Sequence, residues 1–253
     1  MKRNYIKLPD LKPMPDRRSK LRKFSDIIWK EFVFFFILKY YKEVNETEVI
    51  KIIENEKKQN RAEIEKALKK HIYKWLNNNR TFNRHEFVLN LEPSAECNKE
   101  GFYDLKFEHS QWRKKYFSFE AKNLGKTKSM EFSESIKKYI YVKENNREDG
   151  GMYRFMTNKY ACDINFGGMI GFVVGETKKN VVKSLTEKIE LVYENKKTGK
   201  LTDDKIILSS IKDNENTFDT FHIRKNYKTK QTEKFCLHHI IMYFSKLQVE
   251  FMV

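Results

Sequence analysis

The sequence predicts an α/β domain, a mixed β-sheet flanked by helices, carried behind a helical N-terminal extension. Three observations predict it. Ile64, Leu68, Ile72 and Trp75 lie on one stripe at helical spacing. Three short strand-like runs follow, at 85–91, 102–107 and 116–121. Beyond them helix-like and strand-like segments alternate instead of segregating, which is the pattern of helices packed on a mixed sheet.

Taken in order, residues 1–58 read as the extension and 59–253 as the α/β domain. The first 23 residues form a basic arm in which Lys2, Arg3, Lys7, Lys12, Arg17, Arg18, Lys20, Arg22 and Lys23 lie among prolines. Helix-like stretches at 25–41 and 47–58 follow. The uninterrupted apolar run 32–38 is far short of the roughly 20 residues a membrane helix needs, so it reads as a helix buried in the protein or against a partner. Asn60 is placed to cap the next helix, with Glu63 in capping-box position, and Asn77, Asn78 and Asn79 end it. After the three strands, Phe132, Ile136, Tyr139 and Ile140 give a helix over 131–143 its apolar face. Glycines at 150, 151, 167, 168, 171 and 175 punctuate a buried-looking strand at 169–174. A helix at 180–193 and strands at 205–209, 218–224 and 234–244 complete the chain, the last run being readable as helix as well.

The formal net charge of +16 and pI of about 9.5 draw the chain toward polyanions, nucleic acid first among them. Cys97, Cys162 and Cys236 are far apart and form no CxxC pair, which argues against zinc ribbons and disulfide frameworks and for a reducing, cytoplasmic setting. The first thirty residues, basic and broken by Pro9, Pro13 and Pro15, do not read as a signal peptide, and no membrane partner is expected. No G-x-x-x-x-G-K-[ST], G-x-S-x-G or H-E-x-x-H pattern occurs. The chain is therefore not itself a P-loop NTPase, and the serine-hydrolase and zincin patterns are missing.

The informative segment is Gly101-Phe-Tyr-Asp-Leu-Lys-Phe107, a polar turn, then Tyr116-Phe-Ser-Phe-Glu-Ala-Lys122. Strand alternation points Phe117, Phe119 and Ala121 one way and Ser118, Glu120 and Lys122 the other. The run 108–115 has hairpin length, so Asp104 is brought beside Glu120. Two carboxylates and the Ala121 carbonyl then suit Mg²⁺, with Mn²⁺ as the alternative, and Lys122 is placed to orient a water or stabilise developing charge. The competing reading is a solvated, lysine-rich strand edge.

At these residues the chain resembles the PD-(D/E)XK nuclease superfamily, in which an Asp on one strand is followed by Glu-x-Lys on the next. Asp104 matches the Asp and Glu120-Ala121-Lys122 the E-x-K, over a resemblance spanning roughly residues 60–175. Asp104 follows Tyr103 where the pattern has a proline. The resemblance implies a restriction-endonuclease-like core, with Asp104, Glu120 and Lys122 catalytic and Asp104, Glu120 and Ala121 holding metal. Members often add a carboxylate from the preceding helix, here Glu65 ahead of Glu63. It further implies an endonuclease acting on DNA, with RNA as the alternative, in bacterial defence against phage beside a partner subunit such as an NTPase.

Outside that core, Arg154, Lys159 and Tyr160 among aromatics, and His222 with Arg224 on one strand face, are candidate nucleic-acid contacts. Glu92 and Glu96 are loop carboxylates within reach of the Asp strand. The rival functions are a nucleic-acid binder without catalysis and a structural subunit docking through 32–38.

Overall fold

A computed structural model describes residues 26–58, 63–95, 101–112, 115–126, 130–145, 147–174, 180–211 and 214–244. The basic arm, Asn60, Glu96, Cys97 and Gly175 lie outside the described residues.

The elements run α1 (Asp26–Glu43), α2 (Glu46–Lys58), α3 (Ile64–Asn78), α4 (Arg80–Arg84), β1 (Val88–Leu91), β2 (Leu105–Glu108), β3 (Tyr116–Leu124) and α5 (Phe132–Ile140). There follow β4 (Val142–Glu144), β5 (Arg147–Asp149), α6 (Gly151–Met156), β6 (Phe166–Val173), α7 (Val181–Tyr193), β7 (Lys200–Leu208), β8 (Thr217–Lys225) and β9 (Thr232–Tyr243). Seven strands form one mixed sheet in the order β1-β2-β3-β6-β9-β8-β7. β1, β2 and β3 are antiparallel neighbours, whereas β6 lies parallel to both β3 and β9. The connection from β3 to β6 passes through α5, the small β4–β5 hairpin and α6, the length a parallel crossover requires. Every residue of β6 is buried, as expected of a central strand covered on both faces.

α1 is core rather than appendage. Trp29, Phe32, Val33, Phe34, Phe36, Ile37, Leu38 and Tyr40 are all buried, so the helix has apolar residues around most of its circumference. Phe34 meets Phe117 edge-on at 5.2 Å, and Phe36 meets Phe82 at 5.0 Å. Each such side chain contributes roughly 1.5–3 kcal/mol on burial, which packs most of 32–38 inside this chain and leaves Phe35 half-buried. Among the described residues no helix is long and apolar enough to cross a membrane.

Local details depart from expectation. Glu63 sits at the start of α3 with no side-chain capping hydrogen bond, pairing instead with Lys66 at 3.6 Å. Asn79 ends α3 by starting α4, its side chain accepting from Thr81 N and Phe82 N. The run 234–244 is strand throughout its described core, because β9 is paired on both sides. Cys236 is a free thiol but Cys162 is disulfide-bonded, its partner lying outside the described residues, which departs from the expectation of unpaired cysteines.

Candidate active site

β3 alternates as its sequence requires. Phe117 packs toward α1, and Glu120 points to the opposite face, where α6 begins. Two glycines permit that approach. Gly150 has φ +126°, a region L side chains avoid, and a Cβ on Gly151 would come within 2.5 Å of Met169 Cε and 3.4 Å of Glu120 Cγ. α6 thereby lies against Glu120 and delivers Arg154 to it.

Glu120 is 1% exposed. Its Oε1 accepts from Arg154 Nη1 at 2.7 Å and pairs with Lys122 Nζ at 2.7 Å. Its Oε2 is buried without a hydrogen-bond partner. Asp104 immediately precedes β2, its N–H donating to Phe119 O at 3.0 Å and its Oδ2 accepting from Ala121 N at 2.6 Å. Asp104 is thus fixed to the backbone on both sides of Glu120. Its Oδ1 accepts from Lys69 Nζ, which also reaches Glu92 Oε1 at 3.2 Å. From the same helix Glu65 Oε1 lies 3.3 Å from Lys122 Nζ. Arg154 is held from behind by a two-pronged pair with Asp149, both contacts at 2.8 Å.

Burial, with the Asp104 charge adding to it, pushes the Glu120 carboxyl up to about 7 against the pull of Lys122 and Arg154. Burial likewise raises Glu65. Burial opposes the Lys122 charge, but Glu120, Glu65 and Asp104 outweigh it and hold the ammonium above the ordinary lysine value. Arg154 draws Asp149 down to about 2.

The structure brings Asp104, Glu120, Lys122 and Glu65 together, with the Ala121 N–H joined to Asp104. Arg154 pairs with Glu120 of this cluster and with Asp149, and stays partly exposed. Lys159 is half-buried in the turn that follows α6. Tyr160 is buried, its hydroxyl donating to Phe102 O at 2.6 Å, so its ring is not available to stack a base. His222 and Arg224 are interior as well. His222 is fully buried with both ring nitrogens bonded, and Arg224 gives its guanidinium to the carbonyls of Phe155, Ala161 and Ile164 and to Glu233. Their expected phosphate contacts are therefore corrected: these side chains tie loops and strands together. Lys69 and Asp149 were not anticipated. Lys69 had a signal, since it stands four residues after Glu65 and so shares its helix face; Asp149 had none.

No family model, curated protein or solved structure matches the chain. The chemistry of the site therefore stands on its own geometry. The carboxylates Glu65, Glu92, Asp104, Glu120 and Asp149 outnumber the cations Lys69, Lys122 and Arg154, so a divalent cation would add the positive charge that keeps them ionised. A buried carboxylate oxygen with no partner is costly, about 1–3 kcal/mol or more, unless something binds it. Carboxylate oxygens that already accept one hydrogen bond keep a second lone pair for a cation. An oxygen-rich set of this kind fits Mg²⁺ or Mn²⁺.

Proposed function

We propose that the chain is a metal-dependent phosphodiester hydrolase of the restriction-endonuclease-like kind, acting on DNA, with RNA as the alternative. The observation that carries the reading is the partnerless, buried Glu120 Oε2 inside a cluster of carboxylates that also contains a lysine two residues along the same strand. The order of elements supports it: a helix bearing Glu65, three antiparallel strands, a helix, and a strand parallel to the third, as in the superfamily the motif resembles.

In this reading Glu120 Oε2, Asp104 and Glu65 supply the oxygens that would hold the ion, with the Ala121 carbonyl as the further donor the motif implies. When bound, Mg²⁺ would neutralise charge on the phosphoryl group and make a bound water more acidic. Lys122 donates hydrogen bonds toward the attacking oxygen or the developing phosphorane charge, and its raised value keeps it cationic across neutral pH. Arg154, braced by Asp149, orients Glu120 and adds a second fixed positive charge. The +16 excess supplies non-specific attraction to the phosphate backbone. A role in defence against phage beside an NTPase partner rests on the resemblance; a cytoplasmic setting rests on the sequence reading of the first thirty residues, since the Cys162 disulfide removes the support drawn from the cysteines.

One observation favours a second reading, a nucleic-acid binder without catalysis. Both Asp104 oxygens already have partners, Lys69 and Ala121 N, so the cluster is largely satisfied by its own cations. Incubating the chain with plasmid and Mg²⁺, with and without EDTA, separates the two. Cleavage abolished by EDTA supports the hydrolase; binding with no cleavage under any divalent ion supports the second reading.

A further inference from the structure

On the other face of the sheet, β8 and β9 place a second and chemically different set of groups. Asp219 and His238 are cross-strand partners, and Cys236 stands two residues before His238 and so on the same face. His238 Nδ1 lies 2.7 Å from Asp219 Oδ1, to which Ser210 Oγ also donates at 2.8 Å. Cys236 Sγ lies 3.5 Å from His238 Nε2 and 3.9 Å from Nδ1, and one ligand atom from each of the three residues falls within 4.8 Å of the others. Phe34 closes over His238 edge-on at 4.9 Å.

A cavity of about 420 Å³ opens beside the cluster between α1 and this end of the sheet. Asp219 and His238 line it, together with Lys30, Glu31 and Ser210; Cys236 does not. That placement decides between two uses of a Cys–His–Asp group. A nucleophilic thiol must meet substrate and sit on the lone pair of one imidazole nitrogen. Here the sulfur is set back from the cavity and nearly equidistant from both nitrogens, so it lies beside the ring. A metal ligand needs neither condition.

We propose that Asp219, Cys236 and His238 bind a borderline divalent ion of the Zn²⁺ class, at a site separate from the oxygen-rich cluster around Glu120. A mixed thiolate, imidazole and carboxylate set selects Zn²⁺ over Mg²⁺ on softness. The ion takes the place of the hydrogen shared by His238 and Asp219. Tetrahedral ligands at about 2.0 Å sit roughly 3.3 Å apart, so the 2.7 Å pair must spread by about 0.6 Å and the cysteine must turn about its Cα–Cβ bond. The cavity supplies the room, and a water from it completes the coordination. Because the thiolate is the ligand, binding releases the Cys236 thiol proton to solvent, and the hydrogen that His238 Nδ1 shares with Asp219 gives way to one on Nε2, which leaves the ligating imidazole neutral.

The test uses the full chain with its disulfide intact and Co²⁺ as a spectroscopic probe for Zn²⁺. The site predicts one tetrahedral Co²⁺ per chain, with a thiolate-to-cobalt charge-transfer band that Zn²⁺ displaces and Mg²⁺ does not. Cys236→Ser should abolish the band, Asp219→Asn should weaken binding about tenfold or more, and Glu120→Gln should leave it unchanged. Absence of the band in the natural sequence, or its persistence in Cys236→Ser, would overturn the proposal. Should Cys236→Ser not fold, Asp219→Asn decides instead: the band must weaken there, and an undiminished band would overturn the site.

Discussion

Arg154 Nη1 lies 2.7 Å from Glu120 Oε1, across a junction where α6 starts at Gly151 directly against the same glutamate. The contact joins the strand that carries the candidate chemistry to the crossover segment packed on it. It makes the position of Glu120 depend on a backbone that only glycine allows there.

Gly151→Ala therefore tests that junction. The added Cβ would meet Met169 Cε, which can move, but also Tyr139 O at 2.9 Å, which is backbone. Overpacking of this kind costs about 1–3 kcal/mol. For a chain of this size that lowers Tm by roughly 2–4 °C per kcal/mol. Cleavage should fall further than stability does, since Arg154 and Glu120 are displaced together. A variant as stable and as active as the natural sequence would show that the approach of α6 is loose.

A pH dependence follows from the Glu120 carboxyl, raised to about 7 by burial. The ion competes with the proton for the same oxygens, so Mn²⁺ affinity should fall roughly tenfold per pH unit once pH drops below about 7. Glu120→Gln removes that dependence along with most of the affinity. Calorimetric titration between about pH 5.5 and pH 8.5 reads it directly. A flat affinity across that window would mean Glu120 does not ligate.

Acid stability follows from a buried chain of hydrogen bonds. His222 Nδ1 donates to Gly199 O at 2.7 Å, so its Nε2 accepts from Thr220 Oγ1 at 2.9 Å; that oxygen is left to accept from His239 Nε2 at 3.0 Å, and His239 Nδ1 accepts from Tyr139 OH at 2.9 Å. The protons close only with both imidazoles neutral. Burial depresses His222 to about 4 and His239 well below the ordinary value of 6.5. A depressed histidine contributes stability that is complete above about 6.5 and is lost as pH falls toward the folded value, at up to about 1.4 kcal/mol per unit and group. Glu120 acts oppositely, because its raised value favours the fold as pH falls. The urea midpoint is therefore best followed in Glu120→Gln, where it should drop steadily between pH 6.5 and about pH 4. An unchanged midpoint would contradict the neutral assignment.

The alternation of β3 and the hairpin distance to Asp104 were legible because period-2 patterning and short loops are local properties of sequence. α1 was legible as buried but not as part of this core, since nothing in residues 32–38 names the surface they cover. Arg154 was noticed for the wrong partner: its sequence neighbours are aromatic, whereas its charge partners, Asp149 and Glu120, are brought to it by Gly150 and β3. His222 and Arg224 looked like phosphate contacts because polar residues on a late strand are usually exposed. Here Tyr193 of α7 packs on His222, and the carbonyls of Phe155, Ala161 and Ile164 close over Arg224, which buries both.

The central claim is that Lys122 serves chemistry rather than folding or binding. Lys122→Ala removes the amine but leaves the Asp104, Glu120 and Glu65 oxygens in place, with Arg154 still on Glu120. The decisive measurement is plasmid nicking in Mg²⁺ beside filter binding on the same preparations at fixed salt. Losing one transition-state electrostatic contact costs roughly 3 kcal/mol, so nicking should fall by about a hundredfold or more. Binding should scarcely change, because one charge among 51 basic residues adds little to the total field. Undiminished nicking by Lys122→Ala would contradict the proposed site.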